Sequence, residues 1–283
     1  MLFCGPTGTG KSCYIKNYIL NELPSGQYSS IELGFSAQTS SIQTQDIIDG
    51  KMDRKRKGFY GPKTGRCILF VDDLNMPSKE KYGAQPPIEL IRQFLDQGGW
   101  YEHKDKEKPF RNIIDTILVS AMGPPGGGRS FVTPRILRHF TLTSLTSFED
   151  ETLSRIFSTI LKWHFTTFGF NADILKTESK VFQATLEIYK SAMEEFLPTP
   201  TKSHYLFNLR DFARVIFGIC MSDKEKLQTT EQAVRLWFHE VLRVFSDRLV
   251  NEEDRLRLFQ IAKGSVNRSW GLNFDKVFEH LDK

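Results

Sequence analysis

The sequence lacks the features that mark secreted, membrane-spanning or strongly charged proteins. Its four cysteines, Cys4, Cys13, Cys67 and Cys220, stand at unrelated spacings, which predicts reduced, buried thiols of a cytosolic compartment rather than disulfides or a zinc site. The longest apolar run, residues 215–221, is far too short to cross a bilayer. The net charge of +4 is too small to indicate nucleic acid or a membrane as a partner.

The sequence does have the composition of a globular protein with a sizeable core. It contains 283 residues, of which 40% are hydrophobic and 25% are charged, and we expect most of its 23 phenylalanines to be buried. This length allows one large α/β domain and a smaller second domain, which together bury about three quarters of the surface of the unfolded chain.

Residues 5–12 read GPTGTGKS, the pattern of a phosphate-binding P-loop. The glycines allow a tight turn that points backbone N–H groups into one concavity, at the start of a helix expected over residues 11–22. Lys11 would reach the β and γ phosphates of a nucleoside triphosphate, and the Ser12 hydroxyl would bind Mg²⁺. The alternative is a glycine-rich turn that binds nothing. The residues predicted to bind ATP or ADP here are Gly5, Pro6, Thr7, Gly8, Thr9, Gly10, Lys11 and Ser12.

A second phosphate-site motif ends the apolar run at residues 68–71. Asp72 follows this run, and a carboxylate at the end of a buried strand beside a P-loop can hold Mg²⁺ and its waters. A structural hydrogen bond is the alternative role. Asp73 comes next. Many ATPases with a P-loop carry glutamate at this position, where it orients the attacking water. Because aspartate is one methylene shorter, and a misplacement of about 1 Å can cost roughly a hundredfold in rate, we expect slow hydrolysis.

Strand and helix signals alternate in the first half of the sequence, whereas the second half is helical. Strands are predicted at residues 30–35, 67–71, 115–121 and 140–143, helices at 40–49 and 87–97, a charged hairpin at 100–110, and a loop at 51–66. The basic run within that loop, residues 54–57, is interpreted as a solvated surface, with nucleic-acid contact as the alternative. From residue 148 onward, apolar residues recur at helical spacing. We therefore predict an α/β domain with a parallel sheet over residues 1–146 and an all-helical domain over residues 147–283.

Four longer segments carry a resemblance to a known family. They are FVDDLNMP at residues 70–77, YGAQPPIEL at 82–90, AMGPPGGGR at 121–129 and WFHEVLRVFSDRL at 237–249. With the P-loop they resemble the AAA+ ATPases, and in detail they are similar to dynein heavy chains of axonemal type, at the third AAA+ module of the motor ring. The resemblance implies a P-loop sheet domain followed by a small helical lid.

Further site residues follow from this resemblance. The sensor I position, often asparagine in the family, falls on Gly123, which has no side chain to hold water or phosphate. Arg210 matches the sensor II arginine of the lid, with an ordinary surface role as the alternative. Arg135 and Arg138 match arginine fingers that reach the nucleotide of a neighbouring module, or else they brace the last strand.

The implied function is that of a regulatory ATP-binding module with slow hydrolysis, contributing to microtubule-based ciliary motility. Its partners would be neighbouring AAA+ modules of the same heavy chain, dynein intermediate and light chains, and microtubules, without nucleic acid or membrane. Its location would be the cytoplasm, the cytoskeleton and the ciliary axoneme. Two alternatives are a structural nucleotide-binding module without hydrolysis and a DNA-handling AAA+ protein such as a clamp loader. Because the P-loop begins at Gly5, we expect the chain to be a fragment of a longer protein.

Overall fold

A computed structural model describes residues 1–24, 26–126 and 128–279. The chain divides into two units, Met1–Ser147 and Phe148–Lys283, and each is described by itself below. Among the described residues, we find no helix with the length and apolar character needed to cross a membrane.

The first unit is built on a five-stranded parallel sheet. In spatial order its strands are β2 (Tyr28–Gly34), β5 (Arg66–Asp72), β8 (Thr116–Met122), β1 (Leu2–Cys4) and β9 (Leu142–Ser144). Because all five strands run in one direction, the segments that follow β5, β8 and β1 meet at the same edge of the sheet. The continuous apolar run in β5 reflects burial on both faces, as expected for a central parallel strand.

Helices accompany this sheet, and their ends follow from local sequence. They are α1 (Lys11–Asn17), which continues as a π-helical turn at Tyr18–Glu22, α2 (Ser41–Asp49), α3 (Pro86–Gln97) and the short α4 (Pro134–Leu137). Ser40 caps α2 through a reciprocal pair of hydrogen bonds with Gln43. Helix α3 begins with prolines and ends at Gly98, whose φ of 75° suits glycine.

A second, four-stranded sheet is formed by two segments of the first unit, one between α2 and β5 and one between α3 and β8. Its order is β3 (Asp53–Arg56), β4 (Phe59–Gly61), β7 (Phe110–Ile113) and β6 (Gly99–Tyr101). The hairpin predicted at residues 100–110 is confirmed, since β6 and β7 pair antiparallel. The loop predicted at residues 51–66 is wrong, because β3 and β4 form a hairpin there. All residues of β3 are exposed and charged, so the strand has no apolar face that could have revealed it.

The second unit is helical throughout the residues that the structure describes. Its helices are α5 (Asp150–Thr167), α6 (Ala172–Leu175), α7 (Glu178–Glu195), α8 (Leu209–Cys220), α9 (Thr230–Val241), α10 (Glu252–Trp270) and α11 (Phe274–Phe278). Their apolar stripes converge on one core around Trp237 and Phe212, both fully buried. The predicted fold class, a P-loop parallel sheet domain followed by a helical lid, is confirmed.

The cysteine prediction is partly wrong. All four thiols are free, but only Cys67 is buried, Cys13 is exposed, and Cys4 and Cys220 are half-buried. Cys13 belongs to the turn of α1 that directly follows the P-loop, and the apolar residue of that helix that points inward is Ile15. Burial raises the pKa of the Cys67 thiol and raises that of Cys220 to about 11, so both remain protonated at neutral pH.

Candidate nucleotide-binding site

The P-loop connects β1 to α1, and its glycines are required by the backbone. Gly8 and Gly10 have φ values of 93° and 77°, in the left-handed region that favours glycine. A Cβ atom on Gly5 would lie 2.4 Å from the backbone oxygen of Leu145. The sequence therefore folds here into a turn that closely approaches the segment after β9, and residues with side chains could not form it without strain.

Lys11 lies folded over this turn. Its ammonium group donates hydrogen bonds to the backbone oxygens of Gly5 (2.7 Å) and Pro6 (2.6 Å) and to the hydroxyl of Thr9 (3.3 Å). Burial lowers the pKa of Lys11, and the charge of Arg129 lowers it further, while Asp73 and Asp72 oppose the shift. The lysine is thus a partly desolvated cation at the mouth of the loop, where anionic groups are favoured.

Ser12 and Asp72 are brought together by the sheet. The Ser12 hydroxyl donates a hydrogen bond of 2.7 Å to Oδ1 of Asp72 at the end of β5, and the same oxygen accepts the backbone N–H of Asp73 at 3.0 Å. One hydroxyl and one carboxylate are oxygen ligands of the kind Mg²⁺ uses when phosphates and water complete its coordination. The residues present therefore fit the predicted metal. The described residues contain no cluster of three histidine, cysteine or acidic side chains that could hold a metal ion without such help.

Asp73 begins the turn after β5 with a left-handed backbone, φ 52°. Its side chain is 43% exposed, and its Oδ1 lies 3.6 Å from Nη2 of Arg129. The carboxylate is thus partly open to solvent at the end of β5, and its role in orienting water stays a prediction.

Gly123 follows β8, between the strands that end at the P-loop and at Asp72. It is buried, and the space beside it is filled by a side chain that the sequence did not indicate. A Cβ atom on Gly123 would lie 2.7 Å from Nε and 2.9 Å from Cζ of Arg129. Arg129 was the last residue of a segment used for the family resemblance, but no local signal shows that the chain turns back and returns its guanidinium to residue 123.

The predicted arginine fingers lie in and just after α4, and both are exposed. Arg138 donates a 2.5 Å hydrogen bond to Asp96 at the end of α3, and the pKa of Asp96 is lowered chiefly by this contact. His139 lies 2.7 Å from the same carboxylate. Arg135 forms no hydrogen bond or ion pair with the described residues. Their action on a neighbouring module stays a prediction.

Arg210 is the second residue of α8 in the helical unit, and it is exposed. Its backbone N–H donates a 2.8 Å hydrogen bond to the side chain of Asn208, which caps the helix. The cap fixes where the helix starts, so the position of the Arg210 backbone is well defined. Its role as the sensor II arginine stays a prediction.

A strand, a glycine-rich turn with a lysine and a serine, a helix and a neighbouring strand-end aspartate together define a P-loop nucleotide-binding domain. Residues 1–148 match the family described as the P-loop containing dynein motor region, and residues 181–281 match an AAA+ lid domain. The chain belongs to the family of P-loop containing dynein motor regions.

Individual relatives agree with this assignment. Over 282 residues the chain is 50% identical to dynein axonemal heavy chain 12 of Rattus norvegicus and 51% identical to dynein axonemal heavy chain 3 of Homo sapiens, covering 99% of this chain in each case. Dynein axonemal heavy chain 1 of Homo sapiens is 47% identical over 288 residues, or 98% of this chain. The chain spans only 9%, 7% and 7% of these relatives, respectively. A DNA-handling protein is not favoured by these matches.

Proposed function

We propose that this chain is an ATP-binding AAA+ module, the third of the motor ring, of an axonemal dynein heavy chain, and that it contributes regulatory, slow ATP hydrolysis to microtubule-based ciliary motility. The observation that carries this proposal is the contact between Ser12 and Asp72 beside a P-loop whose lysine is folded over the loop's own carbonyl oxygens. The family assignment supports it.

The P-loop and Asp72 have different roles in the proposed binding of nucleotide and Mg²⁺. Backbone N–H groups of residues 7–12 hold phosphate oxygens, and the ammonium group of Lys11 leaves its carbonyl partners for the β and γ phosphates. Ser12 and Asp72 would hold Mg²⁺, which when bound neutralises charge on the phosphates. No His, Cys or further acidic ligand is required.

Hydrolysis is proposed to be slow. Asp73 orients the attacking water, but its carboxylate extends from a shorter side chain than the usual glutamate. Arg210 is proposed as the sensor II arginine of the lid, and Arg135 and Arg138 as arginine fingers for the site of a neighbouring module. Arg138 is hydrogen-bonded to Asp96 at 2.5 Å, so this bond would have to break before Arg138 could extend toward a neighbouring module.

The surroundings of the module are also part of the proposal. The names of the relatives describe axonemal heavy chains, which supports a place in the ciliary axoneme, the cytoskeleton and the cytoplasm. The partners would be neighbouring AAA+ modules of one heavy chain and, through the whole motor, dynein intermediate and light chains and microtubules. Nucleotide would act by biasing the orientation of the large and small domains.

Calorimetric titration with Mg-ATP and Mg-ADP tests the binding site. We expect both nucleotides to bind, and we expect Lys11→Ala to abolish binding. Lys16→Ala is the matched control, because Lys16 lies on the same helix but forms a surface ion pair of 2.8 Å with Glu32. Equal loss of binding in both variants, or no loss in either, would contradict a working P-loop.

Hydrolysis needs a separate measurement. In a complete heavy chain containing this module, single-turnover ATP decay is compared with and without Asp73→Ala. A slower decay in the variant supports regulatory hydrolysis. An unchanged decay indicates that nucleotide is only a structural element.

A further inference from the structure

Arg129 is placed beside Gly123 by a defined backbone. Buried Asn75 donates its side-chain N–H to the backbone oxygen of Gly123 at 2.8 Å, and its own backbone oxygen accepts the N–H of Ser130 at 2.9 Å. Arg129 also exchanges two backbone hydrogen bonds with Gly126, at 3.0 and 3.1 Å. Asn75 is thus hydrogen-bonded to both Gly123 and Ser130, and the side chain of Arg129 lies against residue 123.

The guanidinium group of Arg129 is poorly partnered for a side chain that is only 22% exposed. Its Nε atom is buried and has no hydrogen-bond partner among the described residues. Nη2 lies 3.6 Å from Asp73, which is an ion-pair distance but too long for a hydrogen bond. A guanidinium presents several donors in a fixed fork that matches phosphate, and here most of that fork is unused.

The strand order brings the segment after β8 and the P-loop to the same edge of the sheet. Gly5 of the P-loop donates its backbone N–H to the carbonyl oxygen of Met122 at 3.3 Å, and Arg129 packs against Gly123, the next residue. A guanidinium with an unpartnered buried nitrogen, next to a loop of the kind that binds phosphates, suits an anion. The P-loop amides are expected to take the inner phosphates, and Gly123 follows the strand that lies between the strands ending at the P-loop and at Asp72. The anion that fits is the outermost phosphate of a nucleoside triphosphate.

We propose that Arg129 binds the terminal phosphate of ATP from within the same module, in the space that a side chain at position 123 would otherwise occupy. This inference rests on the proposed function and adds to it a residue that distinguishes ATP from ADP. The glycine at position 123 then does not remove a phosphate contact. Its lack of a side chain leaves the space that the Arg129 guanidinium occupies.

Titration with Mg²⁺ and either the non-hydrolysable analogue AMP-PNP or ADP tests the proposal. A hydrogen bond to a charged group contributes about 1.5–3 kcal/mol, so we expect Arg129→Gln to weaken AMP-PNP binding about 10- to 100-fold. Binding of ADP should change by less than about twofold, since ADP lacks the phosphate in question. Arg129→Lys should restore part of the loss, because the charge remains while the fork is removed.

Gly123→Ala offers an independent route to the same result. Its methyl group would lie within 3 Å of the guanidinium and would displace it, without removing the charge. We expect an AMP-PNP-specific loss like that of Arg129→Gln, and no further loss when both changes are combined. Arg54→Gln, at an exposed arginine of β3, is the matched control, and thermal melting establishes that each variant is folded.

The outcomes separate the two proposals. If the unmodified chain binds neither nucleotide, or if Lys11→Ala binds like the unmodified chain, the proposed function and this inference both fall. If Lys11→Ala behaves as expected but Arg129→Gln and Gly123→Ala change AMP-PNP and ADP binding equally, or not at all, only the inference falls. Arg129 would then serve as a counter-ion for Asp73.

Discussion

The hydroxyl of Ser12 donates a 2.7 Å hydrogen bond to the carboxylate of Asp72, which lies 60 residues later in the sequence. The contact joins the first turn of α1, the helix that follows β1, to the end of β5, and β1 and β5 are separated in the sheet by β8. It brings together the two oxygen atoms that the sequence predicts as ligands of Mg²⁺.

The charge of Asp72 should matter only when the metal is present. We expect Asp72→Asn to weaken Mg-ATP binding by about tenfold or more, because an amide oxygen is a weaker ligand for a hard cation. In EDTA the affinity for ATP should be unchanged or slightly higher. Calorimetry in both buffers checks this, with Asp46→Asn in α2 as the control. Equal losses with and without Mg²⁺ would show that Asp72 acts on the P-loop and not on the metal.

The close approach of the P-loop to Leu145 should make Gly5 irreplaceable. The new methyl group of Gly5→Ala would lie 2.4 Å from a backbone oxygen, so we expect the free energy of unfolding to fall by about 1–3 kcal/mol. Gly34→Ala is the matched control at the end of β2, where nothing lies within 4 Å of the new atom. There we expect a change within about 0.5 kcal/mol. Urea denaturation of the two variants gives the comparison, and similar values for both would contradict the packing described here.

The helical unit contains a buried carboxylate whose partner should be essential. Asp211 is 1% exposed, and Arg248 donates to it from both terminal nitrogens, at 3.1 and 2.6 Å. Removal of the guanidinium leaves a buried charge underpaired, so Arg248→Ala should cost about 3 kcal/mol of unfolding free energy. Arg257→Ala removes an exposed pair with Glu195 and should cost less than about 1 kcal/mol. Chemical denaturation of both variants tests the difference, which should exceed the error of the method.

His164 should make the helical unit sensitive to mild acid. It is buried beside the rings of Phe165, Phe168 and Phe170, and its Nε2 atom has no partner among the described residues. Burial lowers its pKa below the ordinary value of 6.5, so the unfolded chain binds the proton more readily. The stability due to the neutral ring is therefore present above pH 6.5 and is lost as the pH falls through the lowered pKa.

Unfolding free energies measured from pH 7.5 down to pH 5 would show this loss. The loss should be smaller in His164→Phe, which cannot take up a proton, and unchanged in His204→Gln, which alters an exposed histidine. A pH profile identical in all three proteins would rule out His164 as its source.

The features that the sequence predicts correctly are those determined by residues close together in the chain. The glycines of the P-loop are dictated by backbone angles, Asp72 follows a run of apolar residues, and the helical stripes repeat within a few residues, so each can be recognised without knowledge of the fold. The strand β3 could not be recognised, because its stability comes from pairing with β4 and not from an apolar face. Arg129 was missed for a related reason. Its position depends on hydrogen bonds that Gly123 and Ser130 form with Asn75, which belongs to a distant segment.

The left-handed backbone of Asp73 restricts what mutation and selection can do at this position. Aspartate and asparagine adopt φ near 50° several times more readily than most residues, because their short polar side chains can bond to the nearby backbone. Glutamate has the longer reach associated with rapid hydrolysis but lacks this ease. A lineage that gained by faster turnover would therefore have to remodel the turn after β5 before it could lengthen the carboxylate. The proposed slow hydrolysis would then depend on the main chain as well as on the side chain at position 73.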